Sequence, residues 1–367
     1  MNRTWRDYNF FLLGCVLVLT GFSLAMVYSA TLRDPDLQGY FSRHVVNLIV
    51  GLAAMLLLTA LDYHALQSWS VPLYLITIII LAVVLVFGRI SSGAQSWLDL
   101  GLRTLQPSEP AKLLIIIGLA AYWQHYDGRG GDLRVQIGGL VLVGGPLLLV
   151  FAQPDFGTAM VFLLAWLLMA WVAGMRWWQL ALLGAISAPL AYLGWTYVLA
   201  PYQKLRLQVF LDPLTFDPEL RYGAWNVIQS LNAVSSGGLT GRGWTLGIVS
   251  QGNYLPVRYT DFIFAVTAEE LGFIGATILL IFLGMLIWQV FSVANVARDT
   301  FGKLIAVGIG GMFLCHVLVN VGMNMSIMPV TGIPLPFISY GGSFFMTAMA
   351  AIGLLQSIAL HRRRLTF

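Results

Sequence analysis

A chain of 367 residues that is 58% hydrophobic and only 10% charged, with a formal net charge of +4, has too little polar surface to cover a water-soluble globule, where about 25% of residues carry charge. That excludes a soluble enzyme and a nucleic-acid-binding module, and makes lipid the expected solvent. Cys15 and Cys315 both lie in apolar runs, so no disulfide framework is implied.

A bilayer crossing needs about 20 mostly apolar residues, and ten stretches qualify: 9–30, 45–61, 71–87, 110–122, 135–151, 157–175, 178–200, 261–293, 303–325 and 344–360. The first has Arg3 and Arg6 ahead of its apolar run, as a signal peptide would. Its length suits a full crossing, so it reads as an uncleaved first helix. The fourth is short. No segment is long and polar enough for a separate soluble domain, so residues 1–367 are expected to form one integral membrane domain with one large loop, 201–260, between helices 7 and 8. Basic residues orient it. The face carrying both termini has Arg3, Arg6, Arg129, Arg134, Arg176, Arg298, Lys303, Arg362, Arg363 and Arg364, against Arg33, Arg43, Arg89 and Arg103 in the short loops opposite. Both termini are therefore expected in the cytoplasm and the large loop outside.

The polar motifs follow in chain order. In Gln106-Pro107-Ser108-Glu109-Pro110-Ala111-Lys112, Ser108 can cap a helix, and Glu109 and Lys112 are neighbours at i,i+3. Lys112 wants a carboxylate, for which Glu109, Glu269 and Glu270 are candidates. Gln153-Pro154-Asp155-Phe156-Gly157-Thr158 is a tight turn with Asp155 as a helix cap. Lys204, Arg206, Arg221, Arg242 and Arg258 of the large loop are either ordinary solvated groups or binders of a substrate's phosphates. Gly237-Gly238-Leu239-Thr240-Gly241-Arg242-Gly243 matches neither a phosphate loop nor a dinucleotide fingerprint.

Thr260-Asp261 stands where the large loop re-enters the membrane. One reading is capping, with Thr260 as N-cap and Asp261 in the first turn; the other is a general base that takes a hydroxyl proton. Glu269 and Glu270 lie roughly 12–14 Å further along a helix, where ionisable groups face a partner or a water-filled cavity. Adjacent residues point about 100° apart, so these two are not expected to share a partner. His316, Asn320 and Asn324 form a polar stripe suited to helix–helix hydrogen bonding. Residues 329–343, with Pro329, Pro334, Pro336, Gly341 and Gly342, cannot form a continuous helix. Irregular backbone lining a cavity is expected there, and the backbone around Ser339, Gly341 and Gly342 can hold an anion such as a diphosphate.

Taken together, Gln106-Pro107-Ser108-Glu109, Gln153-Pro154-Asp155, Ser236-Gly237-Gly238-Leu239, Thr260-Asp261-Phe262-Ile263-Phe264-Ala265, Glu269-Glu270-Leu271-Gly272 and Pro334-Leu335-Pro336 to Ser343 resemble the SEDS family (shape, elongation, division and sporulation). The run from Pro329 to Pro334 resembles its RodA branch more than its FtsW branch. The resemblance implies an all-α polytopic membrane protein with ten transmembrane helices. It implies a glycosyltransferase that polymerises lipid II into peptidoglycan outside the cytoplasmic (inner) membrane. Asp261 matches the family's essential acid, a class B penicillin-binding protein is the implied partner alongside other elongation-complex membrane proteins, and undecaprenyl diphosphate is the implied leaving group. No nucleotide is expected; a divalent cation, Mg or Mn, held partly by Asp261 is a candidate cofactor. Lys204, Arg206, Arg242 and Arg258 are the candidate diphosphate partners. Val257 and Tyr259 stand where the family usually has an acid and often a histidine, and Gly93-Ala94-Gln95-Ser96-Trp97 lacks an arginine often found before the tryptophan. Two rivals remain: a flippase for the same lipid-linked precursor, and a secondary transporter, which usually shows paired interrupted helices in two related halves.

Overall fold

The computed structural model describes residues 8–91, 94–99, 104–199, 201–219 and 223–361. Among them nine helices are long and apolar enough to cross a bilayer. Six of the nine precede the large loop, and with a tenth, less apolar helix they make seven: α1 (Phe10–Thr31), α2 (Tyr40–Ala60), α3 (Ser70–Phe87), α4 (Ser108–His125), α5 (Leu133–Ala152), α6 (Phe156–Ala173) and α7 (Trp177–Leu193). After the loop come α8 (Ile263–Val296), α9 (Thr300–Asn324) and α10 (Gly342–Leu360). The less apolar one is α4, the expected short span. It reaches 18 residues by taking in polar groups at both ends, Glu109 and Lys112 at one and Gln124 and His125 at the other. Arg3, Arg6, Arg103, Arg221 and Arg362 to Arg364 lie outside the described residues.

The centre of the bundle is α9, which packs against α4, α6 and α8, while α10 packs along α2. Small residues let α9 sit there: a Cβ at Gly308 would meet Ile116 and Met169 side chains at 2.6–2.7 Å, so the helices approach more closely than larger residues permit. At the other extreme, no residue in the apolar window of α7 is buried against protein. Lipid must cover that helix.

Three features depart from an unbroken set of spans. Strands β1 (Arg89–Ser91), β2 (Ala94–Asp99) and β3 (Thr104–Leu105) form a small antiparallel sheet between α3 and α4. The large loop is itself folded, with helices Pro201–Leu211, Pro213–Phe216, Ala224–Ser236 and Ile248–Gln251, and Ala224–Ser236 packs on α8. Finally, α8 is broken at Gly272, whose φ is +68°.

The break explains the glycine-rich run that matched no nucleotide fingerprint. Interrupting a helix frees carbonyls and amides that must find partners within the protein. Residues 238–243 supply them. The amides of Arg242 and Gly243 donate to the carbonyls of Glu269 and Glu270, both at 3.0 Å, and the amides of Phe273 and Ile274 donate to Gly238 and Leu239 carbonyls at 2.9 and 3.1 Å. Backbone lies on backbone there. A Cβ at Gly241 (φ +81°) would collide with the Glu270 carbonyl, and left-handed backbone disfavours any side chain at that residue.

Gly241→Ala is therefore expected to lower stability by about 2–4 kcal/mol through collision and strain, read as a lower unfolding temperature in detergent. Gly284→Ala in α8, where nothing lies within 4 Å of the added carbon, is the matched control and is expected to leave the unfolding temperature unchanged or raised. Indistinguishable unfolding of the two variants would refute the backbone-on-backbone fit.

Candidate functional site around Asp261

Asp261 sits in a turn just ahead of α8, and the capping reading fails on geometry. The N-cap of α8 is Phe262, with no side-chain cap. The Thr260 hydroxyl donates instead to the Val257 carbonyl at 3.2 Å, and the Asp261 amide donates to that same carbonyl at 3.1 Å. Val257 holds φ +53°, a conformation that a β-branched residue rarely adopts and that costs about 1–2 kcal/mol. The strain is stored in the turn that presents the acid.

What holds this turn is the α9 stripe. Asn320 and Asn324 donate their side-chain amides to the Asp261 carbonyl, at 3.0 and 2.9 Å. Asn320 also donates to the Ile333 carbonyl at 2.8 Å, and Asn324 accepts from the Ala265 amide at 3.0 Å. Asn320 and Asn324 thus bond to broken backbone, while His316 of the same stripe also reaches the Lys112 side chain on α4, the helix–helix bond expected of it. On the far side, the Tyr340 amide donates to the Tyr259 carbonyl at 2.9 Å, and the Ser339 hydroxyl donates to the Thr260 carbonyl at 2.6 Å while accepting from the Leu335 amide at 2.8 Å. The loop turn and the irregular segment before α10 are one hydrogen-bonded unit.

The same logic orders the next layer. His316 lies 2.9 Å from the Pro334 carbonyl through Nδ1 and 3.1 Å from Lys112 Nζ through Nε2. A carbonyl only accepts, so Nδ1 carries the proton and Nε2 takes one from the ammonium. Lys112 also donates to both carboxylate oxygens of Glu109 at 2.9 Å, and its ammonium stands 5.5 Å above the Phe344 ring. Glu109, Lys112 and His316 are all buried and form one chain of bonds ending on the irregular segment. Asp155 caps α6, accepting from the Thr158 amide at 3.0 Å, and the Ser108 hydroxyl reaches Asp155 at 3.2 Å rather than capping its own helix.

Several expected site residues are placed elsewhere. Arg258 is buried, donating to the Ala30 carbonyl at 2.8 Å and pairing with Asp34 at 3.2 Å; its guanidinium fastens the loop to the end of α1. Ser339 is spent on the latch just described. Glu269 and Glu270 are buried away from Lys112 and bond to different groups, although both lie against the same stretch of the loop. Glu269 accepts from the Val249 and Ser250 amides at 2.7 and 2.9 Å, and Glu270 from the Thr245 amide at 3.1 Å and the Ser29 hydroxyl at 2.6 Å. Both serve one stretch, residues 245–251, because the loop wraps around the helix break. Lys204 donates to the Thr196 carbonyl at 3.5 Å; Arg206 and Arg242 are exposed, and Gly341 and Gly342 are half-buried at the start of α10. Arg221 lies outside the described residues.

Residues far apart in the chain complete the surroundings. Tyr40, Tyr259 and Tyr340 meet with ring centroids 5.0–5.7 Å apart, so Tyr259 joins an aromatic cluster. No spacing in the sequence links Tyr40 to the other two. Asp261 is half-buried as a residue, and its carboxyl is enclosed by protein. Burial pushes its pKa up to about 6, against a hydrogen bond with the Thr260 side chain that works the other way. Burial likewise raises the Tyr259 phenol. Among the described residues no lysine or arginine pairs with Asp261, and no three acidic, histidine or cysteine groups gather to hold a metal ion.

A polytopic helical protein with a lone, raised carboxyl beside a broken helix defines a narrow class, and the comparisons agree on which. The model of the FtsW/RodA/SpoVE family, described as cell cycle proteins, matches residues 9–364, and the chain belongs to that family, the SEDS family its motifs resemble. It is 39% identical over 352 residues to the peptidoglycan glycosyltransferase MrdB of Escherichia coli, covering 96% of this chain and 93% of that one. It is 32% identical to the peptidoglycan glycosyltransferase RodA of Treponema pallidum, covering 97% and 98%. Among solved structures it matches a chain of a peptidoglycan synthase complex studied for its coordination of polymerization and crosslinking, with TM-score 0.84, 31% identity and 98% and 99% coverage. It also matches the rod shape determining protein RodA of Thermus thermophilus, with TM-score 0.72, 30% identity and the same coverage.

The buried pair yields a prediction. Lys112→Met leaves the Glu109 carboxylate buried and uncompensated, and is expected to cost about 3–5 kcal/mol. Adding Glu109→Leu removes the orphaned charge and should restore much of the loss. A double variant no more stable than Lys112→Met alone in thermal unfolding would show that the pair is not the coupled unit described.

Proposed function

We propose that this chain is a peptidoglycan glycosyltransferase that polymerises lipid II on the outer face of the cytoplasmic membrane during cell elongation, with Asp261 as general base. The observation that carries the reading is the Asp261 carboxyl: on a half-buried residue, with its pKa raised by burial, free of capping duty, and held through its own main chain. The 4-hydroxyl of the acceptor disaccharide gives its proton to Asp261 as its oxygen attacks the anomeric carbon of the donor. The bond from that carbon to undecaprenyl diphosphate breaks, and its electron pair leaves with the diphosphate. Lys204, Arg206, Arg242 and the backbone at Gly341 and Gly342 are the proposed partners for the phosphates; Arg258 and Ser339 are buried in the α1 attachment and the latch, respectively.

Among the described residues no three acidic, histidine or cysteine groups gather around Asp261, so Mg or Mn would be shared between Asp261 and the substrate's own phosphates. Such an ion would offset charge on the departing diphosphate. Arg129, Arg134, Arg176, Arg298 and Lys303 favour cytoplasmic placement of the face that bears the termini, which turns Asp261 outward. The likeness to a chain from a complex of polymerization and crosslinking supports a class B penicillin-binding protein as partner, with other elongation-complex membrane proteins around the pair.

A flippase would need a polar route across the bilayer. The groups available for one are committed: Glu109, Lys112 and His316 to each other and Pro334, Glu269 and Glu270 to loop amides. That favours the enzyme.

The test uses the purified chain with its transpeptidase partner and lipid II, read as glycan strands on a gel. Asp261→Asn, which keeps the shape and removes the base, is expected to lower the rate by about 10²–10⁴-fold. A base must be deprotonated to act, so the wild-type rate should rise with pH through about 6 and level off above it, with roughly a tenth of the plateau one unit below the midpoint. An Asp261→Asn variant that polymerises like wild type would sink the assignment, and precursor translocation without polymer would favour the flippase.

A further inference from the structure

On the face where the protein's N-terminal helix begins, the α4–α5 and α6–α7 connections meet around a cavity of about 510 Å³ lined by Arg129, Asp132, Arg176 and Trp178. Two buried glutamines brace the site, Gln136 within the α4–α5 connection and Gln179 across to the α6–α7 connection. Gln136 donates to the Gly130 carbonyl at 2.6 Å, and Gln179 donates to the Gly131 carbonyl at 3.1 Å while accepting from the Arg176 amide at 2.9 Å. The cavity is therefore built before any ligand arrives. Arg129 and Arg176 are both exposed, and among the described residues neither guanidinium has an ion-pair partner. Asp132 contributes the one opposing charge, and its carboxylate is already engaged with the Arg134 amide at 3.0 Å.

The depth of the cavity is marked by tryptophan. Trp177 is 75% exposed and Trp178 39% exposed at the start of α7, the helix with no residue of its apolar window buried against the rest of the chain. Tryptophan collects at the headgroup level of a bilayer, so the cavity opens among headgroups rather than into bulk water. Two unpaired arginines at that level attract the phosphate of an anionic lipid.

We propose that this cavity binds the headgroup of an anionic phospholipid through Arg129 and Arg176. Its phosphate is a ligand distinct from anything at Asp261, and the inference does not depend on the catalytic reading.

The full chain, reconstituted in nanodiscs with equal parts phosphatidylglycerol and phosphatidylcholine of matched acyl chains, can be released into native mass spectrometry and its retained lipids counted. Wild type should keep phosphatidylglycerol in preference to phosphatidylcholine. Arg129→Gln should weaken that preference about fivefold and Arg129→Gln with Arg176→Gln about 25-fold, at roughly one surface-charge contribution per arginine. Asp132→Asn, which keeps the helix cap and removes the opposing charge, should strengthen retention, and it serves as the test if the double variant does not fold. Retention unaltered in the folded double variant, or unaltered by Asp132→Asn, overturns the proposal. Inorganic phosphate that binds and displaces the lipid at millimolar concentration would assign the site to a free anion and overturn the lipid reading.

Discussion

Backbone groups freed inside an apolar surround must be satisfied by the protein itself, and the architecture around Asp261 follows from that constraint. Two chain segments lose helical pairing near each other, the turn before α8 and residues 329–341. The helix between them in sequence, α9, carries one polar residue per turn on the facing side. His316, Asn320 and Asn324 receive the Pro334, Ile333 and Asp261 carbonyls in order along that face. Removing the stripe would leave carbonyls buried without donors, each costing about 1–3 kcal/mol. A stripe this costly to bury in a membrane helix stays because the irregular backbone beside it has no other source of donors.

A second break is handled with different materials. At Gly272 the interruption in α8 is repaired by loop backbone, and Glu269 and Glu270 then accept from residues 245–251. The large loop is thus anchored at both ends of the first part of α8: by carboxylates and glycine-to-backbone contact at one, by the Asp261 turn at the other. Arg258 adds a third attachment through Asp34 and the end of α1. With so many fixed points, the loop positions the acid as rigidly as the helices do, which a catalytic group requires.

The ten spans were legible because bilayer thickness fixes how long an apolar run must be, and helix ends fell within a few residues of the hydropathy edges. Even the doubtful fourth span was present, its polar ends having hidden its length. Asp261 was legible as an acid at the end of an apolar run, and the irregular 329–343 segment as a cluster of proline and glycine. Pairings across distant segments were not. Nothing in the sequence says that Arg258 turns to Asp34 rather than to a phosphate, or that Tyr40 meets Tyr259 and Tyr340. Two adjacent glutamates serve one loop stretch only because the helix ends its regular geometry at Gly272, a tertiary fact that helical spacing cannot contain. The α9 stripe was visible as a stripe, and His316 makes the expected helix–helix bond to Lys112, yet its other partners are largely carbonyls of broken backbone.

The central claim is that the α9 amides fix the position of a reacting carboxylate without touching substrate. The most direct measurement is the kcat and KM of glycan polymerisation by Asn320→Ala with Asn324→Ala, on protein shown to remain folded. A misplaced base with an intact binding surface predicts a fall in kcat of about 10²-fold, the scale of an ångström of displacement, with KM little changed. A variant that keeps wild-type kcat, or that loses only affinity, would contradict the account.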